Sequence, residues 1–271
     1  VLAAMPRHST DDFRVSALRL TSVGPYRIFG FYSVPTGNGP FPSLLLTPRY
    51  GSVNHIPDYN DRLRYAVLQI MHRGQRLADQ PLSAAYPGLL TLRIDDPATY
   101  VYRGIVADCL RGAEFLLSRP EVDPARVAIA GDDLALLTVA RRPGFSYAQY
   151  AVPLLYRADE ARRLTSAYPL EELNDEARAN PERAAAMART LAYFDPPYHA
   201  PRVTGTTLLS IGDDGGLDGL PWLQPLSDAL GGPVEHYKLT HAGRTDHDWL
   251  DAWLAGKLGV APMSRFRGVL T

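Results

Sequence analysis

The stretch Val127-Ala-Ile-Ala-Gly-Asp-Asp-Leu-Ala-Leu-Leu-Thr-Val139 constrains the fold of this chain more than any other. Residues 127–130 form an uninterrupted apolar run and read as a buried strand, which Gly131 ends. Apolar residues at helical spacing resume at Leu134. The chain is therefore expected to leave a buried sheet, turn sharply and enter a helix at once. Asp133 falls on that tight turn, where a side chain stands exposed above the sheet.

The rest of the chain supplies such a sheet. Residues 14–20 alternate polar and apolar side chains as a half-buried strand does, Gly24-Pro25 turns the chain, and 26–34 read as a second strand. The apolar runs 43–46 and 65–71 read as further strands, separated by a loop rich in glycine, proline and asparagine. Residues 76–98 show no clean period and contain several prolines, so they are expected to make a long excursion over the surface. Helical spacing covers 100–118, with Pro120 as a stop signal. Beyond the central stretch, 149–155, 206–211 and 234–239 read as strands, and 217–230 and the segment opening at Asp248 as helices. Strands that alternate with helices predict an α/β fold with a mostly parallel central sheet and helices on both faces. The predicted core includes Leu44, Leu45, Leu68, Ile70, Val127, Ile129, Leu208 and Leu209. One domain over 1–271 is expected, with a polar, mobile lead at 1–12 and a helical, cap-like insertion at 156–198, where Asn180-Pro181 divides two charged helical stretches.

Composition narrows the function. With 271 residues, 46% of them hydrophobic, the chain can bury one large core. Its formal net charge of -1 provides no global field toward nucleic acid or an anionic membrane, and neither partner is expected. No apolar run approaches the roughly 20 residues that span a bilayer, and the start Val1-Leu-Ala-Ala-Met-Pro6 is too short for a secretory signal. Cys109, the one cysteine, reads as a small buried hydrophobe and fits a reducing compartment. A soluble, cytoplasmic protein is expected. The histidines are scattered, with no H-x-x-H or C-x-x-C spacing, so no metal site is expected, and no cofactor is implied.

Several words along the chain resemble those of the acetylxylan esterase and cephalosporin C deacetylase family of α/β-hydrolases. Ile28-Phe-Gly-Phe-Tyr-Ser-Val-Pro35 is similar to the family's early strand ending in Y-x-V-P, and Arg73-Gly-Gln75 to its R-G-Q. Thr99-Tyr-Val-Tyr-Arg-Gly104 resembles its T-Y-Y-Y-R-G, and Glu121-Val-Asp123 with Arg126-Val-Ala-Ile-Ala-Gly131 its approach to the nucleophile. Tyr193-Phe-Asp195 and Ser210-Ile-Gly212 match words further on. The resemblance implies an α/β-hydrolase fold with a helical cap, an elbow of the G-x-S-x-G type at Gly131-Asp-Asp-Leu-Ala135, and ring-like homo-oligomers. It also implies departures at the site. Asp133 stands where the family has its serine, Asp132 for a glycine and Leu134 for a glutamine. Pro48-Arg49-Tyr50 corresponds to the H-G-Y loop that helps to make the oxyanion hole. The acid position falls on Gly215, with Asp214 and Asp213 just before it, and the histidine on His241, with His247 six residues later.

Serine esterases work because histidine deprotonates a neutral hydroxyl as it attacks, and water then opens the acyl-enzyme. Asp133 cannot do this. A carboxylate needs no deprotonation and can displace a halide or open an epoxide, as in haloalkane dehalogenases, but on an acetyl ester it would form a mixed anhydride. Against such a nucleophile stand the repulsion between adjacent Asp132 and Asp133, the displaced acid, and the lack of a tryptophan after Asp133 to cradle a halide. A structural role is favoured: the aspartates accept amide hydrogens of the following helix, worth roughly 1 kcal/mol, and Arg49 pairs with Asp133 to close the pocket. Asp133, His241 and Asp214 are then the degenerate triad positions, and Tyr50, Arg49, Leu134 and Gln75 line a pocket. The chain is expected to lack ordinary deacetylase activity and to act as a binding or assembly subunit, as a homo-oligomer, with a partner protein, or on a cationic or polyhydroxylated small molecule; the alternatives are a hydrolase with Asp133 as carboxylate nucleophile and an atypical esterase on a small acylated or carbohydrate substrate.

Overall fold

The computed structural model describes residues 1–151 and 153–264. Among them runs one sheet of nine strands: β1 (Leu2–Ala4), β2 (Phe13–Thr21), β3 (Arg27–Pro35), β4 (Phe41–Leu46), β5 (Ala66–Met71), β6 (Val122–Gly131), β7 (Tyr147–Tyr150), β8 (Thr206–Ile211) and β9 (Val234–Lys238). Their spatial order is β1-β2-β3-β5-β4-β6-β7-β8-β9. The first four neighbours pair antiparallel, and every pairing from β5 to β9 is parallel. The expected α/β architecture is present.

Among the described residues eight α-helices accompany the sheet: α1 (Tyr59–Arg64), α2 (Val101–Leu117), α3 (Asp133–Arg141), α4 (Ala158–Ala161), α5 (Glu171–Ala179), α6 (Ala184–Ala192), α7 (Leu220–Ala229) and α8 (Gly243–Leu258). Successive strand residues point to opposite faces, which decides which helix each one meets. Leu45, Leu68 and Ile129 pack with Leu116 of α2, Leu136 of α3 and Leu223 of α7, whereas Leu44, Val67 and Ala128 pack with Leu254 and Leu258 of α8. All eight predicted core residues are buried.

Several local expectations are refined by the structure. Residues 2–4 of the lead pair with β2 instead of standing free, and the loop after β4 contains α1. Segment 76–98 runs mostly over the surface, as expected, but Leu89, Leu90 and Ile94 anchor it in a second apolar cluster with α2, α3 and the α5–α6 pair. It lacks a period because its inward-facing side chains are irregularly spaced. The strand expected over 149–155 is only Tyr147–Tyr150, because the chain turns away after Tyr150. The closing helix starts at Gly243, earlier than Asp248.

The words R-G-Q and R-G are structural. Arg73, just beyond β5, places Nε and Nη2 at 2.9 and 2.8 Å from the two carboxylate oxygens of buried Asp108, and its backbone amide donates to the same group at 2.8 Å. Gly104 makes room for it, since a Cβ there would lie 2.3 Å from an Arg73 nitrogen. Cys109 is a buried free thiol. No helix of the described residues is long and apolar enough to cross a membrane.

Candidate functional site

The ends of β4 and β6 abut where the chain turns into α3. A side chain at Gly131 would place its Cβ 1.9 Å from Thr47 Oγ1, so only glycine allows this approach. Asp132 forms the turn in extended conformation and caps α3, with its Oδ1 accepting the Leu134 amide at 3.0 Å. The turn thus lies one residue earlier than expected, and Asp133 is the first residue of the helix. Four non-glycine residues are described with left-handed φ: Leu77, Arg93, Arg157 and His241. Asp133 is not among them, so it lacks the strained backbone that lifts an elbow side chain above the sheet.

Asp133 points inward. It is 1% exposed, and its Oδ1 accepts the Tyr150 hydroxyl at 2.7 Å while Oδ2 accepts the Leu154 amide at 2.6 Å and that of Leu155. These donors converge because the chain folds back over the start of α3 as it leaves β7. Burial pushes the Asp133 acid up, opposed by the Leu155 amide, the Tyr150 hydroxyl and the Leu154 amide. Half-buried Asp132 is pushed up to about 7, by burial first and the Asp133 carboxylate second, with the Leu134 amide and the Arg49 charge opposing.

The other expected site residues are dispersed. Arg49 is exposed, and among the described residues it forms no ion pair with Asp133; its charge acts on Asp132. Gln75 is fully buried and organises the loop after β4: its Nε2 donates to the carbonyls of Arg49 (3.0 Å) and Gly51 (2.7 Å), and its Oε1 accepts from Asn54 Nδ2 at 2.9 Å. Leu134 is buried in the second apolar cluster. Tyr50 donates its hydroxyl hydrogen to Glu172 Oε1, whose other oxygen accepts the amides of Gly88 (2.8 Å) and Leu90 (3.3 Å). His241 is exposed, 3.9 Å from Asp213, while Asp214 meets Lys238 at 3.2 Å. Among the described residues no hydrogen bond or ion pair joins Asp133 to His241 or Asp214, and His247 stands exposed on α8. An open cleft of about 770 Å³ flanks Asp214, lined also by Gly215, Leu164, Thr165 and Trp222.

Tyr150, the amides of Leu154 and Leu155, and Glu172 escaped sequence reasoning. Backbone donors carry no residue signature, and Glu172 sits in a helix whose composition is that of a solvated face. Its one signal is the Glu172-Leu173 pair, both buried within an otherwise polar stretch.

The parallel sheet, the glycine-gated strand–turn–helix and the helices on both faces define an α/β-hydrolase fold. Within that class the chain belongs to the acetyl xylan esterase (AXE1) family, whose sequence model matches residues 5–216. Its structure is similar to that of an acetyl xylan esterase from Paenibacillus sp. R4, at 25% identity and a TM-score of 0.80, with 96% of this chain and 88% of that one covered. Acetyl xylan esterase 1 from Thermoanaerobacterium sp. JW/SL YS485 shares the fold at 20% identity and a TM-score of 0.79, over 95% and 87% of the two chains. The acylaminoacyl peptidase of Pyrococcus horikoshii shares it more distantly, at 17% identity and a TM-score of 0.60, over 88% of this chain and 38% of that one.

Proposed function

We propose that this chain is a non-hydrolytic member of the acetyl xylan esterase family that serves as a binding or assembly subunit in the cytoplasm. The observation that carries the reading is the engagement of Asp133, whose two carboxylate oxygens are shared among a tyrosine hydroxyl and two backbone amides in a 1% exposed site. A nucleophile needs a lone pair aimed at the substrate and a base within reach. The amide after the elbow, which would contribute to an oxyanion hole, is taken by the Asp132 carboxylate. Pro48 brings no amide hydrogen, and His241 and Asp213 lie at the surface. The same engagement weighs against Asp133 as a carboxylate nucleophile toward haloalkanes or epoxides.

The cleft beside Asp214 supports a binding role, since a lining that holds both a carboxylate and the indole of Trp222 suits a cationic or polyhydroxylated small molecule. Loss of the serine nucleophile typically lowers the rate on the order of a millionfold. We therefore expect no saturable hydrolysis of 4-nitrophenyl acetate or cephalosporin C above buffer. Saturable turnover that disappears in Asp133→Ala overturns the proposal. So does a covalent adduct at Asp133, seen by intact-protein mass after incubation with haloalkanes or epoxides.

A further inference from the structure

A second groove, of about 490 Å³, lies between the start of α2 and the end of α3, and neither Asp133 nor Asp214 lines it. Val106, Leu110, Leu137 and Phe194 make its apolar wall, and the exposed ring of Tyr193 adds to the rim. Two cations, Arg103 and Arg141, also line it, and no aspartate or glutamate does.

Among the described residues neither arginine meets a carboxylate. Arg64, Arg73, Arg126, Arg157, Arg162 and Arg178 each meet a carboxylate. Arg103 instead donates to the Ala98 carbonyl at 2.9 Å, and Arg141 reaches His199 Nδ1 at 3.3 Å. The tautomer of His199 follows from its other nitrogen, Nε2, which lies 2.9 Å from the Tyr193 carbonyl oxygen. A carbonyl only accepts, so Nε2 carries the hydrogen and Nδ1 accepts from Arg141. Burial and the nearby Arg141 and Arg202 charges hold the His199 pKa below its usual value. The imidazole therefore orients the Arg141 guanidinium without neutralising it. Asp96, the acid closest in sequence to the rim residue Ala98, is turned to the Ala98 amide at 2.9 Å and the Thr99 hydroxyl at 3.2 Å. Arg103 sits in the first turn of α2, which holds no acid, where a cation opposes the helix dipole.

We infer that this groove binds an organic carboxylate with an apolar alkyl or aryl body, its anionic head on Arg103 and Arg141 and its body along Val106, Leu110, Leu137 and Phe194. The planar guanidinium fork matches a carboxylate, and the groove volume falls within the range of small-molecule sites. The inference is independent of whether Asp133 is catalytic.

Calorimetric titration of the full chain with 4-phenylbutyrate, set beside 4-phenylbutanol, tests it. The acid is expected to bind saturably at one site per chain and at least about tenfold more tightly than the alcohol. Arg103→Gln and Arg141→Gln, both at exposed positions, are each expected to weaken the acid by about tenfold or more with unchanged melting curves. Val106→Trp, which fills the groove, is expected to abolish binding while both arginines remain. Absence of binding up to on the order of 10 mM, equal affinity for acid and alcohol, or full affinity in the double arginine variant overturns the inference.

Discussion

The Tyr150 hydroxyl donates to Asp133 at 2.7 Å, tying the last residue of β7 to the first of α3. With the Leu154 and Leu155 amides, it makes Asp133 the peg that holds the chain leaving β7. Asp133→Ala leaves these buried donors without an acceptor, at about 1–3 kcal/mol for each unsatisfied group. We expect chemical denaturation to show a loss of at least about 3 kcal/mol, and Tyr150→Phe a smaller loss of about 1–2 kcal/mol. An Asp133→Ala variant as stable as the parent would remove the peg from the account.

Asp132 makes stability depend on pH. Its acid is held at about 7 in the folded chain, against about 3.9 in an unfolded one. Between these values the folded chain keeps a proton that the unfolded chain has released, so stability falls as pH rises from about 4 to about 7. Asp132→Asn keeps a side-chain acceptor for the Leu134 amide and removes the titration. Melting curves across this range should be flatter for the variant, with a gain at pH 8 of at least about 1 kcal/mol, roughly 2–4 °C. Parallel profiles for the two proteins would contradict this.

The Arg73–Asp108 pair is buried, and Gly104 shapes the space around it. Asp108→Ala strands a buried guanidinium, for which a loss of about 3–5 kcal/mol is expected. Gly104→Ala should cost about 1–3 kcal/mol, because the added methyl group must displace Arg73. Soluble variants with unchanged denaturation midpoints would show that the pair is dispensable.

Glu172 links α5 to two places at once, the Tyr50 hydroxyl and the amides of Gly88 and Leu90. Glu172→Ala is expected to raise amide hydrogen exchange most at residues 86–90 and in α5, ahead of the sheet. Uniform change across the molecule would argue for global destabilisation instead.

Much of the fold was legible because burial and periodicity coincide in the parallel strands: runs such as Leu44-Leu45 and Val127-Ala-Ile129 are apolar on both faces, as a covered sheet demands. The anchors Leu89, Leu90 and Ile94 of segment 76–98 were not legible because they are buried without regular spacing, and periodicity detects only regular elements. The site was legible in part. The strand, glycine and helix at 122–141 mark the elbow, and Asp132 caps the helix as the acidic pair suggested. The direction of Asp133 was not, since it depends on amides contributed more than twenty residues later by a segment with no side-chain signature. The expected Arg49–Asp133 pair failed for the same reason, because the inward turn of Asp133 carries it away from an exposed arginine.

The peg has a consequence for any attempt to place a serine at position 133. Serine is shorter than aspartate and uncharged, so Asp133→Ser withdraws the acceptor from Leu154 and Leu155 at the moment it supplies a hydroxyl. The new hydroxyl would stand beside a segment that has just lost its anchorage. The order of changes therefore matters: the Leu154 and Leu155 amides must first acquire another acceptor, and only then can position 133 be exchanged without collapse of its surroundings. A single-site library at 133 samples the one sequence of steps in which gain and loss arrive together.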